Sequence, residues 1–572
     1  MILREKDELW KDLYDFPQNK TLYIDQFTVD GPLSDEDRKR HQCADMNDLF
    51  EKFKPFCNIE LLNEEGEFVP ERFAFNSIDD FDDERLIENS PFLEEKQHAI
   101  EIYQGIIHQL EKNKALRSTL DDNNTRLELE KFLDVLANEL SNGAENKETH
   151  FGFRLFKGII NGIENLDPRY PAQKAIYLTS NDFKGSRQQL IKVIGFWRDV
   201  LKDCDTHLDK AIEECAKRCA DLEQNLQNNL CSIHEETRNL EITYRTIDSF
   251  FAQLGENDCS VTVMNVSKRD LESSNSETET IIQKELKDAY DRIDLTDRSY
   301  SLLVIPGYLG SATTIRRWAK MANQNRVLLI TDFKDVADFI SLRNELDSAK
   351  LQDQDVELSN VVMTCNYILG RKRSELADEN DDLYFPASGA LAGRMANTEV
   401  INISQGVVGK EYGNLDGLYG TRINFLQSDV AVLVEKGVIP IVEEDGHVFA
   451  YSNRTLYNGA STSLQEYPIV RVFDWIKKVL MGYMHDISLE NWDPYKSSQS
   501  LKDKIQGFLS HYQGYQHLFS DYRLGEPVQN PQNKEVTVSL SIIPYYVGKT
   551  TLLKLKADKT KKVSIDTEFE KP

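Results

Sequence analysis

The stretch Ser301–Thr331, SLLVIPGYLGSATTIRRWAKMANQNRVLLIT, decides the fold. SLLVIP (301–306) reads as a short buried strand. Gly307 and Gly310 punctuate its end, TTIRRWAKMA reads as a helix, and RVLLIT reads as a second strand. Strand, turn, helix and strand in this order make a βαβ unit, whose strands are expected to be parallel. The alternation continues on both sides. SVTVMNV (260–266), NVVMTCNYI (360–368), EVINIS (399–404), VIPIVEE (438–444) and HVFAYS (447–452) all read as strands, with a helix-like segment at 386–397. The fold class is therefore α/β.

Around this centre the chain divides into four stretches. Residues 1–145 read as a small α/β unit. It has a strand in TLYIDQFTV (21–29), a helix in DEDRKRHQCADMNDLFEKF (35–53) and a hairpin over 56–75. Ser90-Pro91 opens a further helix, with proline at its first position. The Asn-rich stretch near 141–149 is the expected linker. Residues 146–257 are mainly helical. Trp197, Leu201, Cys204, Leu208, Ile212, Cys215, Cys219, Leu222, Leu226, Leu230 and Ile233 recur at threes and fours, so a long one-sided helix is expected. The polar run NLQNNLCSIHEETRNLEITYR (225–245) is expected to project toward solvent. Residues 258–525 hold the α/β core, closed by helices near 467–486 and 499–520. Residues 526–572 end in the strands EVTVSLSII and TTLLKLKAD and a basic tail.

Composition narrows the function. The 572 residues carry a net charge of -28, which disfavours a nucleic-acid partner because phosphates would be repelled. No run approaches the ~18 to 20 apolar residues of a membrane span. The start, MILREKDELW, is charged at once and has no apolar signal core, so a cytoplasmic protein is expected. Eight cysteines in this length make no disulfide scaffold. Those near 204–231 sit largely on the helical seam, where they act as small apolar residues rather than metal ligands.

Candidate chemistry is sparse. Gly548-Lys549-Thr550 resembles the end of a phosphate loop, but Ile543 stands where the first glycine belongs. Pro544 also removes a backbone donor, so a turn between strands is the expectation. Gly307 to Ser311 is the best small-ligand turn, since a helix N-terminus can hold phosphate. A plain junction capped by Ser311 or Thr313 explains those residues equally well. Gly389 and Gly393 sit at the spacing of close helix packing. The carboxylates of DDFDDE (79–84) read as a helix start or a solvated turn. The ten histidines form no zinc motif. No nucleophile, base and orienter come together, so no cofactor is expected.

Several blocks then resemble one family in collinear order. They are GFWRDVL (195–201), VTVMNVSKRDL (261–271), YILGRKR (367–373), LYFPASGALAGRMA (383–396), LVEKGVIPIVEEDGHVFAYSNRTL (433–456) and YPIVRVFDWIKKVLMGYMHDI (467–487). They resemble the large subunit of the type VI secretion contractile sheath, TssC or VipB. The usual Arg-Leu-Pro-Tyr after the Leu-Gly-Arg segment is replaced by Lys372-Arg373-Ser374. Residues 50–110, notably SIDDFDDERLIENSPFLEEKQ (77–97), resemble the smaller sheath subunit.

The resemblance implies a non-enzymatic structural protein with a mixed-sheet core. That core would carry long helices, and its terminal strands would exchange between neighbouring subunits. It implies stacked hexameric rings or a helical tube, built with a TssB/VipA-like small subunit around an Hcp-like inner tube. It further implies a membrane-anchored baseplate and an AAA+ unfoldase for disassembly. Val536, Val538, Leu540, Ile542, Tyr545, Thr551, Leu553 and Leu555 would form the intersubunit strand arm. Lys554, Lys556, Lys559, Lys561 and Lys562 would form a basic contact patch. The alternative is a cytosolic α/β enzyme that binds a nucleotide or phosphate ligand at Gly307 to Ser311.

Overall fold

The structure, a computed structural model, describes residues 20–142, 184–255 and 261–568. Short breaks fall within 33–36 and 113–119 and at 204–207, 274–275, 291–298, 398–401, 489–495, 515–517, 531–534, 546–551 and 558–562. Through residue 450 the strands are β1 Thr21–Asp25, β2 His41–Cys43, β3 Phe56–Leu62, β4 Phe68–Ala74, β5 Val261–Asn265, β6 Leu302–Val304, β7 Leu328–Asp332, β8 Val361–Cys365, β9 Ile368–Arg371, β10 Leu383–Phe385, β11 Ile439–Glu444 and β12 His447–Ala450. Eight of them form one sheet in the order β12-β11-β8-β7-β6-β1-β5-β2. Its inner pairs are parallel and its two edges, β12 and β2, are antiparallel.

The Ser301–Thr331 unit is as its sequence predicts. Leu303 lies opposite Leu329 in a parallel pair, and the helix Ala312–Gln324 crosses between them. Ser311 caps that helix by accepting from the Thr314 backbone N–H at 3.2 Å.

Both faces of the sheet are covered, which explains the unbroken apolar strands. Successive residues of one strand enter different cores. Tyr23, Leu302 and Val304 face one cluster; Leu22, Ile24, Leu303 and Ile305 face the other. The second cluster is closed by Ile315, Trp318, Leu342 and Leu346 from the flanking helices. The first is closed by the helix Leu208–Leu254, whose 47 residues span about 70 Å. The helix Ser388–Ala396 is wedged between the long helix and the sheet. A Cβ on Gly389 would sit 2.3 Å from the Thr246 carbonyl oxygen, and one on Gly393 2.2 Å from that of Phe250. The glycine pair thus sets the closeness of two helices, as its spacing predicts.

The predicted seam is buried at Trp197, Leu201, Cys215, Cys219, Leu222, Leu226, Leu230 and Ile233. It is carried by two helices, Lys184–Asp203 and Leu208–Leu254, rather than one. The run 225–245 does not project into solvent. Asn229, His234, Thr237, Glu241 and Thr243 are all buried there. Their polarity is used inside the molecule: Asn229 accepts from the Leu62 N–H at 2.7 Å and donates to the Leu62 carbonyl at 3.0 Å. A seam count scores such residues as exposed, whereas a buried side chain with both hydrogen bonds satisfied costs little.

The N-terminal stretch differs in two ways from its sequence reading. Its predicted helix is shortened to Met46–Phe53, capped by Asp45, and His41–Cys43 becomes an edge strand. Its first strand, β1, lies between β5 and β6, so residues before 145 supply an inner strand of the sheet that residues beyond 258 otherwise build. The hairpin is as expected: β3 pairs with β4, Cys57, Ile59, Leu61, Phe73 and Phe75 are buried, and Gly66 turns with φ +82°. Pro91 opens the helix Pro91–Lys112, and the Ser90 hydroxyl accepts from the Leu93 N–H at 3.1 Å. The linker expected near 141–149 falls mostly outside the described residues, as does the strand start at 399–401. Residues 402–404 form a turn rather than a strand.

The C-terminal stretch adds β13 Asp521–Leu524, β14 Val528–Asn530, β15 Glu535–Thr537, β16 Leu540–Ile543, β17 Leu552–Ala557 and β18 Val563–Glu568. These pair as three antiparallel two-stranded ribbons, β13 with β16, β14 with β15 and β17 with β18. The helices Tyr467–Ser488 and Lys496–His511 support the first ribbon.

Candidate functional site

The small-ligand turn is occupied at its first residue. Gly307 has φ +85° and aims its N–H at the carboxylate of Asp332, at 2.9 Å. Asp332 ends β7 and is buried. It also accepts from the Ser388 N–H at 2.9 Å, from the Ser388 hydroxyl and from the Thr364 hydroxyl. Burial pushes its carboxyl above the usual carboxylate range, while these donors pull it back. Asp25, at the end of β1 on the other side of β6, is likewise raised by burial. A phosphate at Gly307 would have to displace a buried carboxylate and then face a second one. This cradle is a staple that joins β6, β7, β8 and the start of the helix Ser388–Ala396.

A second polar cluster is centred on Arg371 of the Leu-Gly-Arg segment. Its guanidinium donates to Glu379 at 2.6 and 3.1 Å and to Glu241 at 3.0 and 3.3 Å. It also lies 3.2 Å from His234 Nδ1. Burial works against the arginine's charge, but the paired carboxylates hold its pKa above the ordinary value. The other ring nitrogen, His234 Nε2, lies 2.7 Å from Asp83, and the Ser374 hydroxyl donates to the second Asp83 oxygen at 2.6 Å. Burial works against the Asp83 charge as well, yet these partners hold its carboxyl below the usual range. Arg245 donates to the same Glu241 at 2.8 Å.

Three chain segments meet at this cluster: the carboxylate run 79–84, the long helix and the loop after β9. Arg371 is paired with Glu241 and Glu379, and Asp83 is held by His234 and Ser374, so the cluster ties the three segments together. The run DDFDDE reads in the sequence as a helix start or a solvated turn. Asp80 does play that part, accepting from the Asn76 and Ser77 N–H groups, but Asp83 pairs with a buried histidine 151 residues away. No local pattern signals that contact. Among the described residues no group of histidine, cysteine and carboxylate side chains is arranged to hold a metal ion. Among them also, no helix is long and apolar enough to cross a membrane.

The strand residues among those assigned to the arm are spread over all three ribbons. Val538, Leu540 and Ile542 pack half-buried against a core of Val472, Ile476, Val479, Leu501, Ile505 and Phe508. Val536 is in β15, and Tyr545 is exposed with its hydroxyl donating to the Gly514 carbonyl. Leu553, Lys554, Leu555 and Lys556 are in β17, paired with β18 of the same chain. Thr551, Lys559, Lys561 and Lys562 lie outside the described residues, and so does the Gly548-Lys549-Thr550 turn.

Three models of one protein family match consecutive parts of the chain. "TssC/VipB-like, N-terminal region" matches residues 140–230, "Type VI secretion system TssC/VipB, central domain" residues 232–458, and "TssC/VipB-like, C-terminal domain" residues 466–571. No curated protein matches the chain. Among solved structures, the contracted helical sheath of the anti-feeding prophage aligns with a TM-score of 0.41 and 11% identity, over 55% of this chain and 81% of that one. The contracted sheath complex of an extracellular contractile injection system, PVC, aligns at 0.38 and 11%, over 58% and 85%. A sheath tail protein from Desulfitobacterium hafniense aligns at 0.30 and 8%, over 51% and 68%. The assignment rests on the family models, whose order along the chain is that of the resembling blocks. The chain belongs to the TssC/VipB family and is a non-enzymatic, structural subunit of the contractile sheath of a type VI, phage-tail-like injection machine.

Proposed function

We propose that copies of this chain polymerise into a helical tube around an Hcp-like inner tube, on a membrane-anchored baseplate at the cytoplasmic side. The tube shortens in one event and drives the inner tube outward, and an AAA+ unfoldase then dismantles it. The observation that carries this reading is the series of TssC/VipB matches, in order along the chain, over residues 140–230, 232–458 and 466–571. A helical tube needs heterologous contacts that do not close on themselves. Strand ribbons at one end of a chain suit that need, because their edges can pair with a neighbour's sheet.

In this reading Val536, Val538, Leu540, Ile542, Tyr545, Thr551, Leu553 and Leu555 belong to the linking arm. Lys554, Lys556, Lys559, Lys561 and Lys562 meet acidic surface on the next copy, setting register more than affinity. The work comes from repacking. At about 25 cal/mol per Å2 of apolar area, a few hundred Å2 of extra contact per subunit in the short lattice yields several kcal/mol. Where a TssB/VipA-like companion enters depends on residues 20–139, which precede all three matched spans.

Deleting the residues after Pro544 leaves β13 and β16 and their core in place while removing β17 and β18. The truncated protein is expected to stay soluble and to form no tubes under the electron microscope. Tubes indistinguishable from those of the full chain would contradict the arm assignment.

A further inference from the structure

We propose that residues 20–142 supply within this chain the sheet strand and helical cover that a separate small sheath subunit would otherwise bring, so that the sheath wall needs only copies of this one chain. The inference rests on the sheath reading and goes beyond it.

The argument begins with a gap. The matched family region begins at residue 140, yet the strand between β5 and β6 is β1, from Thr21–Asp25. β1 is paired on both sides: Leu22 to Asp25 lie opposite Thr262 to Asn265, and Thr21 to Tyr23 lie opposite Leu302 to Val304. Without β1, β5 and β6 would stand two strand spacings apart, roughly 9.6 Å. Their facing N–H and C=O groups would be unpaired inside the molecule, which buried backbone does not tolerate. Leu22, Tyr23 and Ile24 are all fully buried, so both cores would also lose their middle. A polypeptide holding only the matched region must therefore receive this strand from another chain. This one does not.

The rest of the N-terminal stretch is bound just as firmly. The hairpin edge at Leu62 is satisfied at both its N–H and its carbonyl by Asn229 of the long helix. Tyr23 and Phe27 pack edge-on against Phe250 and Tyr244 of that helix. Phe50 stacks on Tyr244 with centroids 4.5 Å apart. Asp83 closes the buried cluster through His234 and Ser374. The helix Pro91–Lys112 lies along the long helix, with Leu93, Ile100, Tyr103 and Ile106 buried. A second polypeptide seeking the β5–β6 position, or this face of the long helix, finds both occupied.

The test is to express the full chain alone, and in parallel with a TssB-type small subunit taken from a two-subunit type VI system. Sedimented material is imaged by electron microscopy and its subunit ratio is measured. The expected result is tubes from the chain alone, and no small subunit in the pellet when it is offered. Tubes that form only with the small subunit, incorporated near one per chain, would overturn the inference while leaving the sheath reading standing. Absence of tubes in both arms would overturn the sheath reading and the inference with it.

Discussion

Lys478 carries an amine buried in the helix Tyr467–Ser488, donating to the Tyr300 carbonyl at 2.6 Å. Burial brings its pKa down to about 8 from an ordinary 10.5. Between these values the unfolded chain holds a proton that the folded chain has lost, so this group makes stability rise with pH across that window. Below pH 8 the folded state must bury the charge. Replacing the lysine by methionine removes this dependence. The melting-temperature advantage of Lys478→Met over the parent is therefore expected to shrink as pH rises from 8 toward 10.5, whatever its absolute size. A constant difference across that range would contradict the buried, charged amine. Asp332 shows the opposite use of burial: its cost is offset by four donors, and the result is a staple rather than a ligand site.

The helix Ser388–Ala396 shows how an element is positioned by what its sequence lacks. With Gly389 and Gly393 it comes within van der Waals reach of the long helix backbone. Gly393→Ala would place a methyl group 2.2 Å from a carbonyl oxygen. It is expected to cost about 1 to 3 kcal/mol, the usual range for overpacking. Gly195→Ala, in the helix Lys184–Asp203 with open space around it, is expected to stabilise by about 0.5 to 1 kcal/mol. Chemical denaturation of both variants checks the pair, and equal effects would contradict the packing account.

Elements like this were legible in the sequence because their signals are local. Strand periodicity, the βαβ order, the proline and serine at 90–91 and the glycine spacing all act within a turn or two. The placement of β1 was not legible. Thr21–Asp25 looks like any short apolar strand, and its partners lie about 240 and 280 residues further on. The Asp83–His234–Arg371 cluster was hidden for the same reason, since each member alone reads as a solvated charge or a cap.

At the scale of the whole molecule, the chain is a three-layer α/β body with strand ribbons at its C-terminal end. The Gly307 N–H of its candidate ligand turn is held by Asp332, and the proposed sheath stores its work in contacts between copies. That is the central claim, and cryo-electron microscopy of assembled tubes in nucleotide-free buffer tests it most directly. The subunit rise and the buried intersubunit area are measured in long and shortened tubes. The account predicts shortening without nucleotide, with a few hundred Å2 more contact per subunit in the short form. Shortening that waits for added nucleotide, or a short form that buries no more surface than the long one, would contradict it.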